Sequence, residues 1–116
     1  MTMDHLHHGI DYVEWTAPDL GAVKAFYSKA FGWKFKDWGD DYCDFEGGGI
    51  GGGFARGPAR EGGALVVLFS KDLEATERAV VGAGGTVSKA IYGFPGGRRF
   101  HFRDPAGNEL AVWTPA

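Results

Sequence analysis

Two short segments of the sequence contain side chains able to transfer a proton. Glu14 follows Tyr12 by two positions in the run IDYVEWT, and His101 lies between Phe100 and Phe102. Alternate residues of an extended strand point to the same face, so Glu14 is expected to share a face with Tyr12. A carboxylate on such a face can act as a general base. Glu14 is therefore a predicted catalytic residue, and a partly exposed position at the rim of the face is the alternative.

The second segment surrounds His101, which has the same strand parity as Arg99 and Arg103. A histidine changes its charge near neutral pH and can shuttle protons, so His101 is the second predicted catalytic residue. Arginine side chains bind carboxylate or phosphate groups, which makes Arg99 a predicted ligand-binding residue. A solvated strand face is the alternative for all three. Glu109 either faces the ligand or pairs with one of the arginines.

Two helices are predicted between the strands that hold these residues. Apolar residues recur at helical spacing after Asp19 and, less strongly, after Asp72. Each aspartate is a plausible N-cap, and Gly32 and the pair Gly84-Gly85 are plausible helix ends. Asp19 and Asp72 are 53 positions apart, as are Gly32 and Gly85. Recurrence at one spacing indicates an internal duplication, with coincidence between two ordinary βα units as the alternative.

Extended runs precede and follow each helix. They cover residues 10–16, 33–38, 42–46 and 50–55 in the first half, and 64–69, 86–91, 98–103 and 109–114 in the second. Each half is therefore a βαβββ module, the first at about 9–57 and the second at about 62–114, in a single domain of residues 1–116. The predicted fold class is α+β, with both modules forming a curved mixed sheet around a central cup and the helices outside.

Strand alternation assigns residues to the cup. Phe100 and Phe102 are expected to pack under the second helix, together with Leu110 and Val112 after the turn DPAGN. The residues that alternate with these on the same strands then face the cup. The predicted ligand-binding residues are Tyr12, Leu65, Val67, Arg99, Glu109, Ala111 and Trp113. Trp33, Trp38 and Trp113 are able to stack on a planar ligand, and core packing is the alternative for each.

Three stretches resemble a known superfamily. They are YVEWTAPDLGAVKAFYSKAFGWKF, GGGIGGGF and FRDPAGNELAVWT, and they resemble the vicinal oxygen chelate (glyoxalase/bleomycin resistance/dioxygenase) proteins over Gly9 to Thr114. The resemblance implies the same paired-module fold and a homodimer. It implies no single activity, because that fold hosts isomerases, epimerases, dioxygenases, thiol transferases and drug-sequestering proteins.

Metal-dependent members of that superfamily hold a divalent ion with His and Glu side chains. By the resemblance, the ligand positions here are Tyr12, Leu65, Ala111 and a place within 50–54, where the sequence has only Ile, Gly and Phe. Of these, only Tyr12 has a ligating atom, and a metal site needs several ligands that converge. The sequence therefore predicts no metal and no other cofactor.

The composition limits the remaining classes. A formal net charge of −3 provides no basic field for nucleic acid or an anionic membrane surface. No apolar run approaches the roughly 20 residues of a membrane span, and no signal peptide is evident, so a cytoplasmic protein is expected. Cys43 is the single cysteine and is predicted to be a small core residue. The GGGIGGG segment is expected to allow a bulge and a close approach of backbones.

The histidine-rich start of the chain, with His5, His7 and His8, is either a solvated flexible tail or a metal-binding tract. The expected function is metal-independent binding of a small, partly aromatic or amphipathic molecule in the cup. The alternative is a lyase or isomerase with Glu14 or His101 as acid or base. A metal-dependent glyoxalase and a regulatory partner module are further alternatives.

Overall fold

The computed structural model describes residues 5–59 and 61–116. The elements are β1 Ile10–Ala17, α1 Leu20–Phe31, β2 Lys34–Asp37, β3 Tyr42–Glu46, β4 Gly51–Arg56, β5 Leu65–Phe69, α2 Leu73–Gly82, β6 Thr86–Phe94, β7 Gly97–Arg103 and β8 Glu109–Pro115. Two successive βαβββ modules, as predicted, account for this order. The chain forms two compact units: the first is Tyr12–Leu65, and the second is Val66–Ala116 with the described residues of Met1–Asp11.

Within the first unit the strands have the order β2-β3-β4-β1. Strand β1 is parallel to β4, and the remaining neighbours are antiparallel. One face packs against α1 through a mainly aromatic core. The buried residues of that core are Ala17, Leu20, Cys43, Phe45 and Phe54, and Val13, Trp15, Val23, Tyr27, Trp33 and Phe35 pack against them. Because Val13 and Trp15 face α1, alternation puts Tyr12 and Glu14 on the opposite face.

Both helices begin at the predicted N-caps. The Asp19 carboxylate accepts from the Ala22 amide at 3.1 Å, and the Asp72 carboxylate accepts from the Ala75 amide at 3.1 Å. Gly32 ends α1 in the left-handed conformation at φ 74°, which favours glycine. The second helix ends at Gly82, and the left-handed φ of 102° falls on Gly84, the first of the two predicted stop residues.

Within the second unit the order is β5-β8-β7-β6, with β5 parallel to β8. The core under α2 contains buried Leu73, Phe100 and Val112, and Phe102 packs against it. The prediction that Phe100 and Phe102 face the helix is therefore confirmed. His101 pairs with Ala111 in the β7–β8 ladder and lies on the other face.

Strand β6 contains two irregularities that the sequence did not predict. Between the pairs Val87–Phe102 and Lys89–His101, β6 advances two residues while β7 advances one, and a second shift follows before the pair Tyr92–Arg99. The first shift puts Lys89 on the face opposite Val87, and the second puts Lys89 and Tyr92 on one face although they are three residues apart. The predicted end of this strand at residue 91 is wrong, because pairing continues to Phe94.

The part of the glycine-rich segment that lies in β4, Gly51 to Gly53, is regular where a bulge was predicted. Gly52 pairs with Phe45 on β3 and with Val13 on β1 in an uninterrupted register, because β4 has a hydrogen-bonded strand on each side. The close approach of backbones is confirmed. A Cβ added at Gly52 would lie 2.6 Å from the Val13 carbonyl oxygen.

Residues 5–8 are exposed to solvent, as a solvated tail would be, but the backbone at His8 and Gly9 is hydrogen bonded to β5 and is not free. The His8 amide donates to the Phe69 carbonyl at 2.7 Å, and the Phe69 amide donates to the Gly9 carbonyl at 3.1 Å.

Cys43 is fully buried, as predicted, and burial raises the pKa of its thiol. Over the described residues, neither helix has the length and apolar character that crossing a bilayer requires.

Candidate functional site

A chain of three polar side chains crosses the face of the first unit opposite α1. Tyr42 on β3 donates its hydroxyl hydrogen to Glu14 Oε1 at 3.2 Å, and the hydroxyls of Tyr12 and Tyr42 are hydrogen bonded to each other. Because the single hydroxyl hydrogen of Tyr42 is directed at Glu14, Tyr12 is the donor to Tyr42. The predicted sharing of a face by Tyr12 and Glu14 is confirmed, and the chain orders three polar groups around one carboxylate.

Gly53 makes room for this arrangement. It pairs with Glu14 on one side and with Asp44 on the other. A Cβ at this position would lie 2.6 Å from the Tyr12 hydroxyl oxygen and would also collide with the Tyr42 hydroxyl. The two tyrosine hydroxyls therefore meet directly above a residue without a side chain.

Tyr42 remains a hydrogen-bond donor over the whole physiological range. Burial, followed by the neighbouring Tyr12 and Glu14, raises the pKa of its phenol well above the ordinary value of 10.0. A protonated phenol can stabilise negative charge on Glu14 or on a bound group without titrating itself. The carboxylate therefore faces a fixed dipole, which suits either ligand orientation or proton transfer.

Next to this chain lies a groove of about 410 Å³, lined by Tyr12, Lys34, Phe35, Lys36, Trp38, Asp44, Phe45, Glu46, Gly51 and Gly52. Trp38 is 55% exposed there. Its indole Nε1 donates to Asp44 Oδ2 at 2.9 Å, and the Lys36 ammonium lies 4.1 Å from the ring centroid. An exposed indole held in place by two charged neighbours gives the groove an aromatic wall.

A second polar cluster surrounds His101 in the second unit. The Tyr92 hydroxyl lies 2.9 Å from His101 Nε2, and it also accepts a hydrogen bond from Arg99 Nε. On the other side of the ring, Nδ1 lies 3.4 Å from Glu109 Oε2. The Glu109 carboxylate also accepts from the Ser88 hydroxyl at 3.2 Å.

These contacts define the tautomer of His101. The Glu109 carboxylate can only accept, so the hydrogen of the neutral ring lies on Nδ1 and points towards Glu109. Nε2 then accepts from the Tyr92 hydroxyl, whose oxygen accepts from Arg99. The carboxylate orients the imidazole, and the imidazole accepts from a hydroxyl. Proton-transfer sites contain these three groups in the same order.

The charge state of His101 follows from its surroundings. Burial lowers the pKa of the imidazole below its ordinary value of 6.5, and the positive charges of Arg99 and Lys89 lower it further. Glu109 acts in the opposite direction without reversing the shift. At neutral pH His101 is therefore the neutral form, which can accept a proton.

The structure separates the predicted site residues into two groups. Tyr12, Glu14 and Leu65 belong to the first unit, and Val67, Arg99, His101, Glu109, Ala111 and Trp113 belong to the second. Leu65, Val67 and Ala111 are 1%, 2% and 0% exposed. Val67 pairs with Ala111, so both contribute an apolar strip on the face that holds His101.

Sequence reasoning missed Tyr42 and Tyr92. Tyr42 has the same parity as Asp44 on β3, so strand alternation was a usable signal for it. Alternation from Val87 gives the side of Tyr92 as well, but its pairing with Arg99 has no local signal, because the register of β6 depends on the two shifts.

The side chains at the ligand positions that the superfamily resemblance implies show whether a metal ion could bind there. Leu65 and Ala111 are buried and offer no ligating atom, and Gly51 to Gly53 offer none from side chains. Tyr12 supplies one hydroxyl, which is hydrogen bonded to Tyr42. Within the described part of the chain, no group of three or more His, Cys, Asp or Glu residues is arranged to hold a metal ion. The residues present at these positions do not fit a divalent cation.

Comparison with known proteins gives the family. The model of the glyoxalase-like domain matches residues 11–113. No curated protein sequence matches significantly. Among solved structures, the chain is similar to the Mn(II)-bound glyoxalase from Novosphingobium aromaticivorans, with a TM-score of 0.68 and 22% identity over 93% of this chain and 39% of that one.

Two shorter proteins match over nearly their whole length. A glyoxalase/bleomycin resistance protein/dioxygenase superfamily member from Vibrio splendidus 12B01 has a TM-score of 0.72 and 15% identity over 89% of this chain and 96% of that one. Methylmalonyl-CoA epimerase from Mycobacterium tuberculosis has a TM-score of 0.67 and 17% identity over 100% and 93%. At such identities the structural likeness shows the fold alone. The chain belongs to the glyoxalase-like domain family and has the fold of the glyoxalase/bleomycin resistance/dioxygenase superfamily.

Proposed function

We propose that this protein binds a small, partly aromatic or amphipathic molecule without a metal, in the groove of the first unit. The observation that carries the proposal is that the exposed Trp38 and Tyr12 line one groove, and that Tyr12 is hydrogen bonded to Tyr42, which donates to Glu14. Its volume of about 410 Å³ falls within the range of roughly 300 to 1,000 Å³ that is usual for small-molecule sites.

The charges of the groove favour a ligand of mixed character. Lys34 pairs across the strands with Glu46, and Lys36 pairs with Asp44. Because these opposite charges balance, the groove has no strong preference for an anion or a cation. Stacking on Trp38 and hydrogen bonding to the Tyr12 hydroxyl then account for most of the expected affinity.

The proposal is tested by titrating the protein with a panel of planar aromatic and amphipathic compounds and following tryptophan fluorescence. Trp38→Ala is expected to weaken binding by about three- to tenfold, the size of one aromatic stacking contact. Phe31→Ala is the matched control, since Phe31 is an exposed aromatic residue, 63% accessible, on α1. No saturable binding by any compound, or equal loss in both variants, would refute the proposal.

A second candidate function is a lyase or isomerase that uses acid–base chemistry. The specific observation in its favour is the order Glu109–His101–Tyr92 with a neutral imidazole. A substrate C–H proton would pass to the Tyr92 oxygen while the Tyr92 proton passes to His101 Nε2. The resulting imidazolium would be stabilised by Glu109, and return of the proton to another carbon would complete an isomerisation. Glu14 would serve as the base in the corresponding mechanism on the first unit.

This second function is distinguished by exchange of substrate C–H hydrogens in D₂O, followed by NMR for carbonyl compounds with acidic C–H bonds. Exchange should persist in the presence of a chelator. It should be lost in His101→Gln if the second unit is catalytic and in Glu14→Gln if the first unit is. Full activity in both variants would exclude acid–base catalysis by either residue.

We also propose a homodimer, an expectation that is supported only by the superfamily resemblance. Light scattering should give twice the chain mass of 12.5 kDa. A mass of one chain at micromolar concentration would contradict it.

A further inference from the structure

The ring of His5 occupies an aromatic recess in the second unit. It stacks on Phe69 with a centroid distance of 4.8 Å and an interplanar angle of 17°. It also meets the edge of Trp113 at 5.3 Å and 88°. Phe94 extends the recess, since its centroid lies 6.4 Å from that of Trp113. One imidazole is thus held by a parallel ring and a perpendicular ring.

A carboxylate completes the surroundings of that imidazole. Asp11 Oδ1 lies 2.7 Å from His5 Nδ1, and Asp11 Oδ2 accepts from the Trp113 indole Nε1 at 2.9 Å. The Asp11 side chain is 15% exposed, whereas that of His5 is 44% exposed. The recess therefore has a fixed, largely buried acceptor and a partly exposed occupant.

We infer that Phe69, Trp113 and Asp11 form a binding site for a planar heteroaromatic ring with an N–H donor, and that His5 occupies this site in the absence of ligand. The class of ligand follows from the groups that hold His5. Two aromatic walls select a flat ring, and a carboxylate oxygen 2.7 Å from the ring nitrogen selects a ring N–H. Imidazoles, benzimidazoles and indoles have this chemistry.

The backbone next to His5 is held by hydrogen bonds in which the His5 ring takes no part. The backbone is anchored to β5 at His8 and Gly9, which hydrogen bond with Phe69. Towards His5 the chain turns at His8, with a φ of 63°, and the Gly9 amide donates to the carbonyl of the exposed Leu6 at 2.8 Å. None of these backbone hydrogen bonds involves the His5 ring, so entry of an external ring would replace the ring contacts of His5 and could leave the backbone in place.

The His5 ring is tethered next to the site, so its effective concentration is high and it competes with any free ligand. A ligand of the intact chain must displace it, and the apparent affinity falls by the fraction of time that the recess is open. This site is independent of the groove proposed above, because its groups belong to the second unit and those of the groove belong to the first. Either proposal can fail without the other.

The test uses the full chain with His5→Gly and 4-methylimidazole, which replaces the deleted side chain. Saturable binding, measured by tryptophan fluorescence and by the NMR shift of the Trp113 indole N–H, is expected to be at least about tenfold tighter than in the unmodified protein. His7→Gly is the matched control, because the His7 ring lies 3.8 Å from that of His8 and its Nδ1 accepts from the Lys71 amide. The His7→Gly variant should bind 4-methylimidazole no more tightly than the unmodified protein does.

Two further arms assign the binding to the recess. In the His5→Gly background, Asp11→Asn should weaken the binding of 4-methylimidazole. Toluene lacks an N–H and should bind to the His5→Gly protein more weakly than 4-methylimidazole does. His5→Ala, checked by circular dichroism, replaces His5→Gly if glycine unfolds the segment. Equal affinity in the unmodified protein, the His5 variants and His7→Gly, or no shift of the Trp113 indole signal, would overturn the inference.

Discussion

The Tyr92 hydroxyl lies 2.9 Å from Nε2 of His101, although the ladder pairs Tyr92 with Arg99 and His101 with Lys89. The two shifts of β6 against β7 bring Tyr92 opposite Arg99, two residues from His101, and put Lys89 on the same face as Tyr92 and the imidazole. A polar cluster is thereby assembled on a strand whose sequence has no motif for it. Shifts of this kind re-aim side chains next to functional sites.

The first prediction concerns the tautomer of His101. Because Tyr92 donates to Nε2, the imidazole should be neutral with its hydrogen on Nδ1 at pH 7. Tyr92→Phe removes that donor and should move the ring hydrogen towards Nε2 in part of the population. Nitrogen-15 NMR of histidine-labelled protein measures both states. Tyr42→Phe changes a tyrosine of the first unit and should leave the His101 signals unchanged, and the same tautomer in all three proteins would contradict the assignment.

The second prediction concerns stability in mild acid. The pKa of His101 is lower in the folded protein than its ordinary value of 6.5, so between the two values the unfolded chain binds more protons. Stability is therefore retained above about pH 7 and falls as the pH drops through the unfolded value of roughly 6.5. Urea unfolding at several pH values should show this loss.

The His101→Gln variant is the control for that measurement, because it should lose less stability over the same pH interval. The lowered pKa values of Glu74 and Asp104 act in a lower range, since their ordinary values are 4.5 and 3.8. A pH dependence that is identical with and without His101 would contradict the prediction.

The third prediction concerns the space above Gly53. Gly53→Ala introduces a methyl group that collides with two tyrosine hydroxyls and lies 2.7 Å from the Cys43 carbonyl oxygen. Overpacking of this kind should cost about 1 to 3 kcal/mol in the free energy of unfolding. Chemical denaturation measures it.

Gly82→Ala gives the comparison, because no atom lies within 4 Å of the added Cβ at the end of α2. It should be neutral or stabilise the protein by up to about 1 kcal/mol. Equal effects at both glycines would show that Gly53 is not sterically required.

The fourth prediction concerns the start of α2. Asp72→Ala removes the carboxylate that accepts from the Ala75 amide and should cost about 1 kcal/mol. Asp72→Asn retains an acceptor at the same place and should cost less. Thermal unfolding of the unmodified protein and the two variants gives the order of their stabilities. An alanine variant as stable as the asparagine variant would argue against the cap.

The local sequence determined the helices, their aspartate caps and most strand boundaries. Those features depend on residues within a few positions of one another, such as Asp19 with Ala22. Strand parity was equally local, and it correctly placed Phe100 and Phe102 under α2 and Tyr12 beside Glu14. The superfamily was also evident from the sequence, since the matching motifs extend along almost the whole chain.

Tertiary structure alone decided which side chains meet. Tyr42 joins Glu14 across 28 positions, and Trp113 joins Asp11 across 102. The position of Tyr92 depends on the register between β6 and β7, and the position of His5 depends on the backbone hydrogen bonds between His8, Gly9 and Phe69. Such contacts arise when strands that are distant in the sequence pair with each other. The residues next to each partner in the sequence do not determine which distant strand it pairs with, or in which register.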